Sequence, residues 1–169
     1  MTNKLYYSWQ DYEDDIHDVS LLDFDHVVGI YRGSLPMAVH ISNLYNVPMS
    51  IVGMQTRDGQ DKKPYWIHNA QEKDYSKDLF PEIRSGIQWE EGSRVLIVDD
   101  IYDTGYTIQK VIEFIKKERI RPSAMPTVLT YCLFGKPNPD GTVYSQEHQD
   151  LWIVFPWETV TSHTKENSF

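Results

Sequence analysis

The sequence predicts an α/β fold, an open and mostly parallel sheet flanked by helices, and three observations carry that expectation. Short apolar runs at 27–31, 49–54, 95–98, 127–134 and 151–155 are rich in β-branched and aromatic residues, and several lack polar alternation, as strands buried on both faces do. Between several of them lie segments whose apolar residues recur three or four positions apart, the period of a helix. Polar residues capable of chemistry follow the strands, which is where an open parallel sheet holds its ligands.

Composition narrows the classes. A chain of 169 residues with 40% hydrophobic content suits one domain with one core, here taken as 1–169. A formal net charge of −9 with no basic block speaks against nucleic acid and against an anionic membrane surface as partners. No stretch is long and apolar enough to span a bilayer, and the start lacks the basic-then-apolar pattern of a signal peptide. The single cysteine, Cys132, sits in an apolar run, so no intrachain disulfide can form and a buried thiol in a cytoplasmic setting is expected. The six histidines show no metal-ligand spacing, which makes a structural zinc site improbable.

Taken in order, Trp9, Tyr12, Ile16 and Val19 recur at helical spacing behind Ser8, with Asp11 three positions on as in a capping box. A strand over 27–31 runs into Arg32-Gly33-Ser34-Leu35-Pro36 and then a helix carrying Met37, Ala38, Ile41 and Leu44, with Ser34 placed to cap it and Pro36 in its first turn. A third strand covers 49–54. The polar stretch 55–78 has no clean period, and one reading makes it a pair of edge-like strands. Residues 79–92, with Pro81, Gly86 and Gly92, read as a connection. A helix from 107 to about 118 ends with Lys116 and Lys117, favourable to its dipole, and Pro122 stops it. Strand 127–134 ends in Gly135-Lys136-Pro137-Asn138-Pro139, Asp140-Gly141 makes a turn, 151–155 is the last strand, and 159–169 is a polar tail.

The central stretch is VLIVDDIYDTGYT, residues 95–107. Its apolar strand stops in Asp99 and Asp100, and Asp103-Thr104-Gly105-Tyr106-Thr107 then offers a glycine, two hydroxyls and backbone N–H groups at a helix start, which is what a phosphate needs. Carboxylates beside a phosphate would repel it unless they face hydroxyls, a divalent cation or a developing positive charge. A phosphorylated sugar supplies all three. A plain strand ending in acids is the bland alternative. A phospho-accepting receiver domain is another, but there the acid pair lies near the N-terminus, whereas here almost a hundred residues precede it.

This stretch resembles the phosphoribosyl-diphosphate (PRPP) motif of the type I phosphoribosyltransferases, an apolar strand and two acids, then two variable residues and Asp-Thr-Gly-x-Thr. YRGSLPMA is similar to the family's diphosphate loop, with Ser34 where a second glycine is usual. FGKP and LWIVFPWE resemble the base-binding segments of the 6-oxopurine enzymes, especially the microbial xanthine-guanine ones. The resemblance implies a phosphoribosyltransferase core with a small hood built from the two ends of the chain, and a flap over about 55–78. It implies PRPP contacts from Arg32, Gly33, Asp99, Asp100, Asp103, Thr104, Gly105, Tyr106 and Thr107, and magnesium held through Asp99 and Asp100. Asp103 becomes the catalytic base near N7 of the purine, Lys136 the donor to O6, and Trp152 with Ile153 the remaining base contacts. The implied reaction is transfer of phosphoribose from PRPP to guanine, xanthine or hypoxanthine in purine salvage, by a cytoplasmic homodimer or homotetramer. Two alternatives stay open: a PRPP-binding regulator of the same fold, and transfer to another base.

Overall fold

The computed structural model describes residues 4–54, 64–67, 89–117, 125–147 and 151–158. Its elements in order are β1 (Lys4–Tyr6), α1 (Trp9–Asp15) running into a 3-10 turn (Ile16–Leu21), β2 (His26–Tyr31), α2 (Leu35–Tyr45), β3 (Met49–Gly53), β4 (Tyr65–Trp66), β5 (Arg94–Ile101), α3 (Tyr106–Lys117), β6 (Thr127–Gly135), β7 (Val143–Glu147) and β8 (Trp152–Val154). Six strands form one sheet in the order β4-β3-β2-β5-β6-β7. All its pairings are parallel except that of β3 with β4. The mostly parallel α/β architecture expected from the apolar runs is the one observed.

The central strands show why continuous apolarity predicts burial on two sides. Along β5, Leu96 and Val98 join a core shared with Met37, Ala38 and Ile41 of α2, with α1 and with β8. Val95 and Ile97 join a second core with Ile108, Val111 and Ile115 of α3. Successive side chains of a strand point to opposite faces, so a strand covered on both sides must be apolar at every position. The helical spacing of Ile108, Val111 and Ile115 lays one stripe of α3 against the sheet, and all three are essentially buried. Cys132 faces the same core as a free, fully buried thiol, and burial raises its pKa.

The first helix begins with the expected capping box: the Asp11 N–H donates to Ser8 Oγ at 3.1 Å, and the Ser8 N–H to Asp11 Oδ2 at 2.9 Å. Other expectations are corrected. The strand through Val98 does not stop there but continues through both acids to Ile101, where Asp99 registers with Cys132 and Ile101 with Phe134. Ser34 does not cap α2 with its side chain. Its backbone is already helical, which carries Oγ away from the first-turn N–H groups, and the hydroxyl donates instead to Ile30 O at 2.6 Å. The strand expected over 151–155 is not a core strand. β8 pairs in parallel with β1, in a separate two-stranded sheet. The core edge is filled by β7, whose sequence VYSQE lacks an apolar run because an edge strand is only half-covered. The 3-10 turn carries Ile16 and Val19, which were expected in one α-helix with Trp9 and Tyr12.

Between β1 and the core, Tyr7 packs edge-on against Phe134 and Phe155, with centroids 5.0 and 6.0 Å away. Its hydroxyl donates to Asp15 Oδ2 at 2.6 Å, and Gln146 Nε2 donates to Asp15 Oδ1 at 2.8 Å, which ties α1 to the β7 edge. The small β1–β8 sheet is thereby docked beside the carboxyl end of β6. The proposed flap over 55–78 is described only at 64–67, where β4 adds an edge strand. The rest of it and the tail 159–169 lie outside the described residues.

Candidate active site

The carboxyl ends of β2, β5 and β6 bring three loops together. The first follows β2, where the Tyr31–Arg32 peptide bond is cis and Arg32 is exposed. Among the described residues the Arg32 guanidinium makes no ion pair. A side chain on Gly33 would collide with the Asp100 carboxylate. Glycine at this position is therefore required by contact with Asp100, a reason that lies outside the local sequence.

Asp99 and Asp100 stand side by side in the last part of β5. Asp99 Oδ1 accepts from the Asp100 N–H at 3.1 Å, and Asp100 Oδ1 from the Ile101 N–H at 2.9 Å. Burial, and then the Asp100 charge, hold the Asp99 carboxyl well above the usual carboxylate range. Burial also raises Asp100, and the Glu158 charge adds to it. Two half-buried acids, each accepting one backbone N–H among the described residues, form a site that a hard cation or sugar hydroxyls would satisfy. Among the described residues no cluster of three or more acidic, histidine or cysteine ligands exists, so a metal held here would need oxygens from its ligand as well.

The second loop is the turn from β5 into α3. A cavity of about 80 Å³ is lined by Asp99, Asp103 and the run from Thr104 to Thr107, so the acid and the phosphate-loop residues face one space. Gly105 has φ +75, and a Cβ there would strike the Tyr102 hydroxyl, so both conformation and space demand glycine. Thr104 Oγ1 accepts from the Tyr106 N–H at 3.4 Å, and α3 starts at that residue with its first-turn N–H groups directed at the loop.

The third loop follows β6. Lys136 Nζ lies 2.6 Å from Asp103 Oδ1. The Asp103 side chain is 61% exposed, so the attraction itself is worth about 0–1 kcal/mol, and its interest is chemical. It sets a donor beside an acceptor. Trp152 is 64% exposed on β8, leaving an aromatic face open. The Ile153 side chain, by contrast, is buried with Phe134 and Phe155, so only its backbone can meet a ligand. Sequence reading passed over Tyr102 and Asp140, which meet at 2.8 Å behind these loops. Tyr102 occupies a variable position of the motif and Asp140 lies in a turn, so neither carries a signal in the linear chain.

Fold and site together define a mostly parallel α/β protein whose acidic pair, glycine turn and lysine converge at the carboxyl ends of its central strands. The chain matches the phosphoribosyl transferase domain over residues 10–161 and belongs to that family. It is 34% identical over 152 residues to the hypoxanthine phosphoribosyltransferase of Haemophilus influenzae, covering 76% of this chain and 74% of that one. It is 25% identical to the xanthine-guanine phosphoribosyltransferase of Cereibacter sphaeroides, over 82% of this chain and 72% of the relative. Its fold superposes on the purine phosphoribosyltransferase of Pyrococcus horikoshii with a TM-score of 0.65 at 28% identity, over 97% of this chain and 99% of that one.

Proposed function

We propose that the protein transfers the phosphoribosyl group of PRPP to a 6-oxopurine base, giving the nucleoside monophosphate and diphosphate. The observation that carries this is the Lys136–Asp103 pair, a donor and an acceptor 2.6 Å apart at the mouth of the phosphate loop. A 6-oxopurine carries a carbonyl acceptor, O6, next to N7 on one edge. In the tautomer that leaves N9 free, N7 bears a proton. An ammonium beside a carboxylate complements that edge, whereas adenine turns an amino group toward the lysine, which has no acceptor to offer.

The 5′-phosphate sits on Thr104, Gly105, Tyr106 and Thr107, at the positive end of α3. The ribose hydroxyls donate to Asp99 and Asp100, and the diphosphate meets Arg32 and the Gly33 backbone. As the bond from C1′ to the diphosphate breaks, the ribose gains oxocarbenium character, and the two carboxylates stabilise it electrostatically. N9 then bonds to C1′ while Asp103 accepts the N7 proton. Asp99 and Asp100 have the donor chemistry for magnesium, which when bound would offset the charge of the leaving diphosphate. Trp152 stacks on the base, and the Ile153 backbone meets its edge. The relatives named for xanthine-guanine and hypoxanthine transfer support the substrate class. We extend the reading to one domain over 1–169 with a flap at 55–78, acting in the cytoplasm as a dimer or tetramer. Among the described residues no helix is long and apolar enough to cross a membrane.

The test is diphosphate release from PRPP and magnesium with a panel of guanine, xanthine, hypoxanthine, adenine and pyrimidines. Lys136→Met should lose the preference for 6-oxopurines, because a site built on a polar contact rejects what cannot make it. Trp152→Ala should weaken all purines alike, by about 1–3 kcal/mol of stacking. A wild type that prefers adenine or uracil, or a Lys136→Met variant that keeps full 6-oxopurine preference, refutes the base assignment.

A further inference from the structure

Asp140 accepts hydrogen bonds from two directions. Its Oδ2 accepts from the Tyr102 hydroxyl at 2.8 Å and from Gln109 Nε2 at 3.2 Å, residues 38 and 31 positions away in the chain. Its Oδ1 accepts from the Thr142 N–H at 3.1 Å and from Thr142 Oγ1 at 2.8 Å. One oxygen serves the phosphate-loop side of the site and the other serves the loop that carries Lys136. We propose that Asp140 is a positioning residue, which holds the phosphate loop and the base-binding lysine loop in one fixed relation.

Both ends of the link are anchored. Toward the phosphate, the Tyr102 hydroxyl lies so close behind Gly105 that a Cβ there would strike it, and the Tyr102 N–H donates to Phe134 O at 2.7 Å. Gln109 belongs to the first turns of α3, and its own N–H donates to Gly105 O at 2.9 Å. Toward the base, Asn138 Nδ2 donates to Lys136 O and to Thr142 O, both at 3.1 Å, and Asn138 Oδ1 accepts from the Thr142 N–H at 3.0 Å. Thr142 Oγ1 also accepts from the buried Thr130 hydroxyl of β6 at 2.8 Å. A displacement of either loop therefore strains the other through one carboxylate. The local bonds to Thr142 alone would make Asp140 an ordinary turn residue; the bonds to Tyr102 and Gln109 do not belong to a turn.

The inference rests on the assignment of the two loops made above, so its test has an arm that needs no turnover. Calorimetry compares GMP, which spans both loops, with ribose 5-phosphate, which reaches the phosphate loop and the acid pair but not the lysine loop, in wild type and in Asp140→Ala, Asp140→Asn and Tyr102→Phe. Asp140→Ala should weaken GMP at least tenfold more than ribose 5-phosphate, and should lower kcat/KM by about 10²-fold, as misplacement of reacting groups by an ångström does. Tyr102→Phe, which keeps its ring and removes one bond to a carboxylate, should show the same selectivity at about tenfold. Asp140→Asn, whose amide can still bond both sides, should recover most of the affinity. Should Asp140→Ala fail to fold, Tyr102→Phe carries the comparison alone. The proposal is overturned if folded variants weaken GMP and ribose 5-phosphate equally, or if only thermal stability changes. A wild type that binds GMP but transfers phosphoribose to no base would refute the reaction, while the ligand comparison would still decide the role of Asp140.

Discussion

The two ends of the parallel sheet handle charge in opposite ways. At the amino ends of β2 and β5, each ionisable group has a partner: the Asp25 oxygens accept from the Arg94 N–H at 3.0 and 3.1 Å, Arg94 pairs with Asp23, and His26 Nε2 lies 2.8 Å from Ser50 Oγ. At the carboxyl ends, Asp99 and Asp100 stand half-buried side by side, and among the described residues neither forms an ion pair. The first arrangement holds strands in register. The second is unfavourable by itself, which agrees with the ligand site proposed there, since local rules tend to be broken at functional sites. Cavity size points the other way: a space of about 400 Å³ opens near Asp25, His26 and Trp89, against about 80 Å³ at the phosphate loop. Convergent chemistry, and not volume, is what favours the carboxyl end as the proposed reactive one.

Three changes would break or sharpen that contrast. The largest effect is expected from Asp103→Asn, which keeps the shape of the side chain and removes the proton acceptor. Turnover should fall by about 10² to 10⁴ while PRPP affinity measured by calorimetry changes little. Its exposure means that thermal stability should not move. Turnover near the wild-type value would reassign the base.

Next comes Asp99→Asn, which should separate stability from function. An acid whose pKa is raised in the fold stays protonated where the unfolded chain has already released its proton. Its presence therefore costs stability as pH rises above the ordinary value of 3.8. Without ligand, the variant should be more stable than wild type at pH 7, and the gain should shrink toward pH 4. Each kcal/mol recovered raises Tm by about 2–4 °C in a chain of this size, and scanning calorimetry across pH reads it. PRPP binding should be lost in the same variant. A lower Tm at pH 7 would show that the pair is structural.

The smallest effect belongs to the amino end and has the opposite sign. Burial pushes the His26 imidazole down to about 4 from 6.5, with the Asp25 charge opposing. Between those values the unfolded chain binds the proton and the fold does not, so stability is lost as pH falls through that window. His26→Gln should flatten that acid limb by on the order of 1 kcal/mol, less than the full shift because the ring keeps some contact with water. Transfer activity at neutral pH should be untouched. An unchanged acid limb in denaturant titrations would exclude His26 as its source.

Much of this was legible in the linear chain because the relevant signals are local. The apolar run of β5, the stripe of Ile108, Val111 and Ile115, and the capping box of Ser8 with Asp11 each depend on neighbours a few residues apart, and short-range sterics and periodicity write those directly into sequence. The Asp-Thr-Gly-Tyr-Thr loop is of the same kind: the proposed phosphate cradle needs consecutive N–H groups, so its signal is contiguous in the chain. Tertiary structure alone decided the rest. The pairing of β1 with β8 joins strands almost 150 residues apart, and β7 is a strand only because β6 offers it an edge. Gly33 meeting Asp100, Lys136 meeting Asp103 and Tyr102 meeting Asp140 all bridge separate loops. Such contacts have no period and no fixed spacing. They arise when parallel strands from distant parts of the chain bring their carboxyl ends to one side of the sheet, so residue types can suggest the chemistry while only packing sets which groups touch.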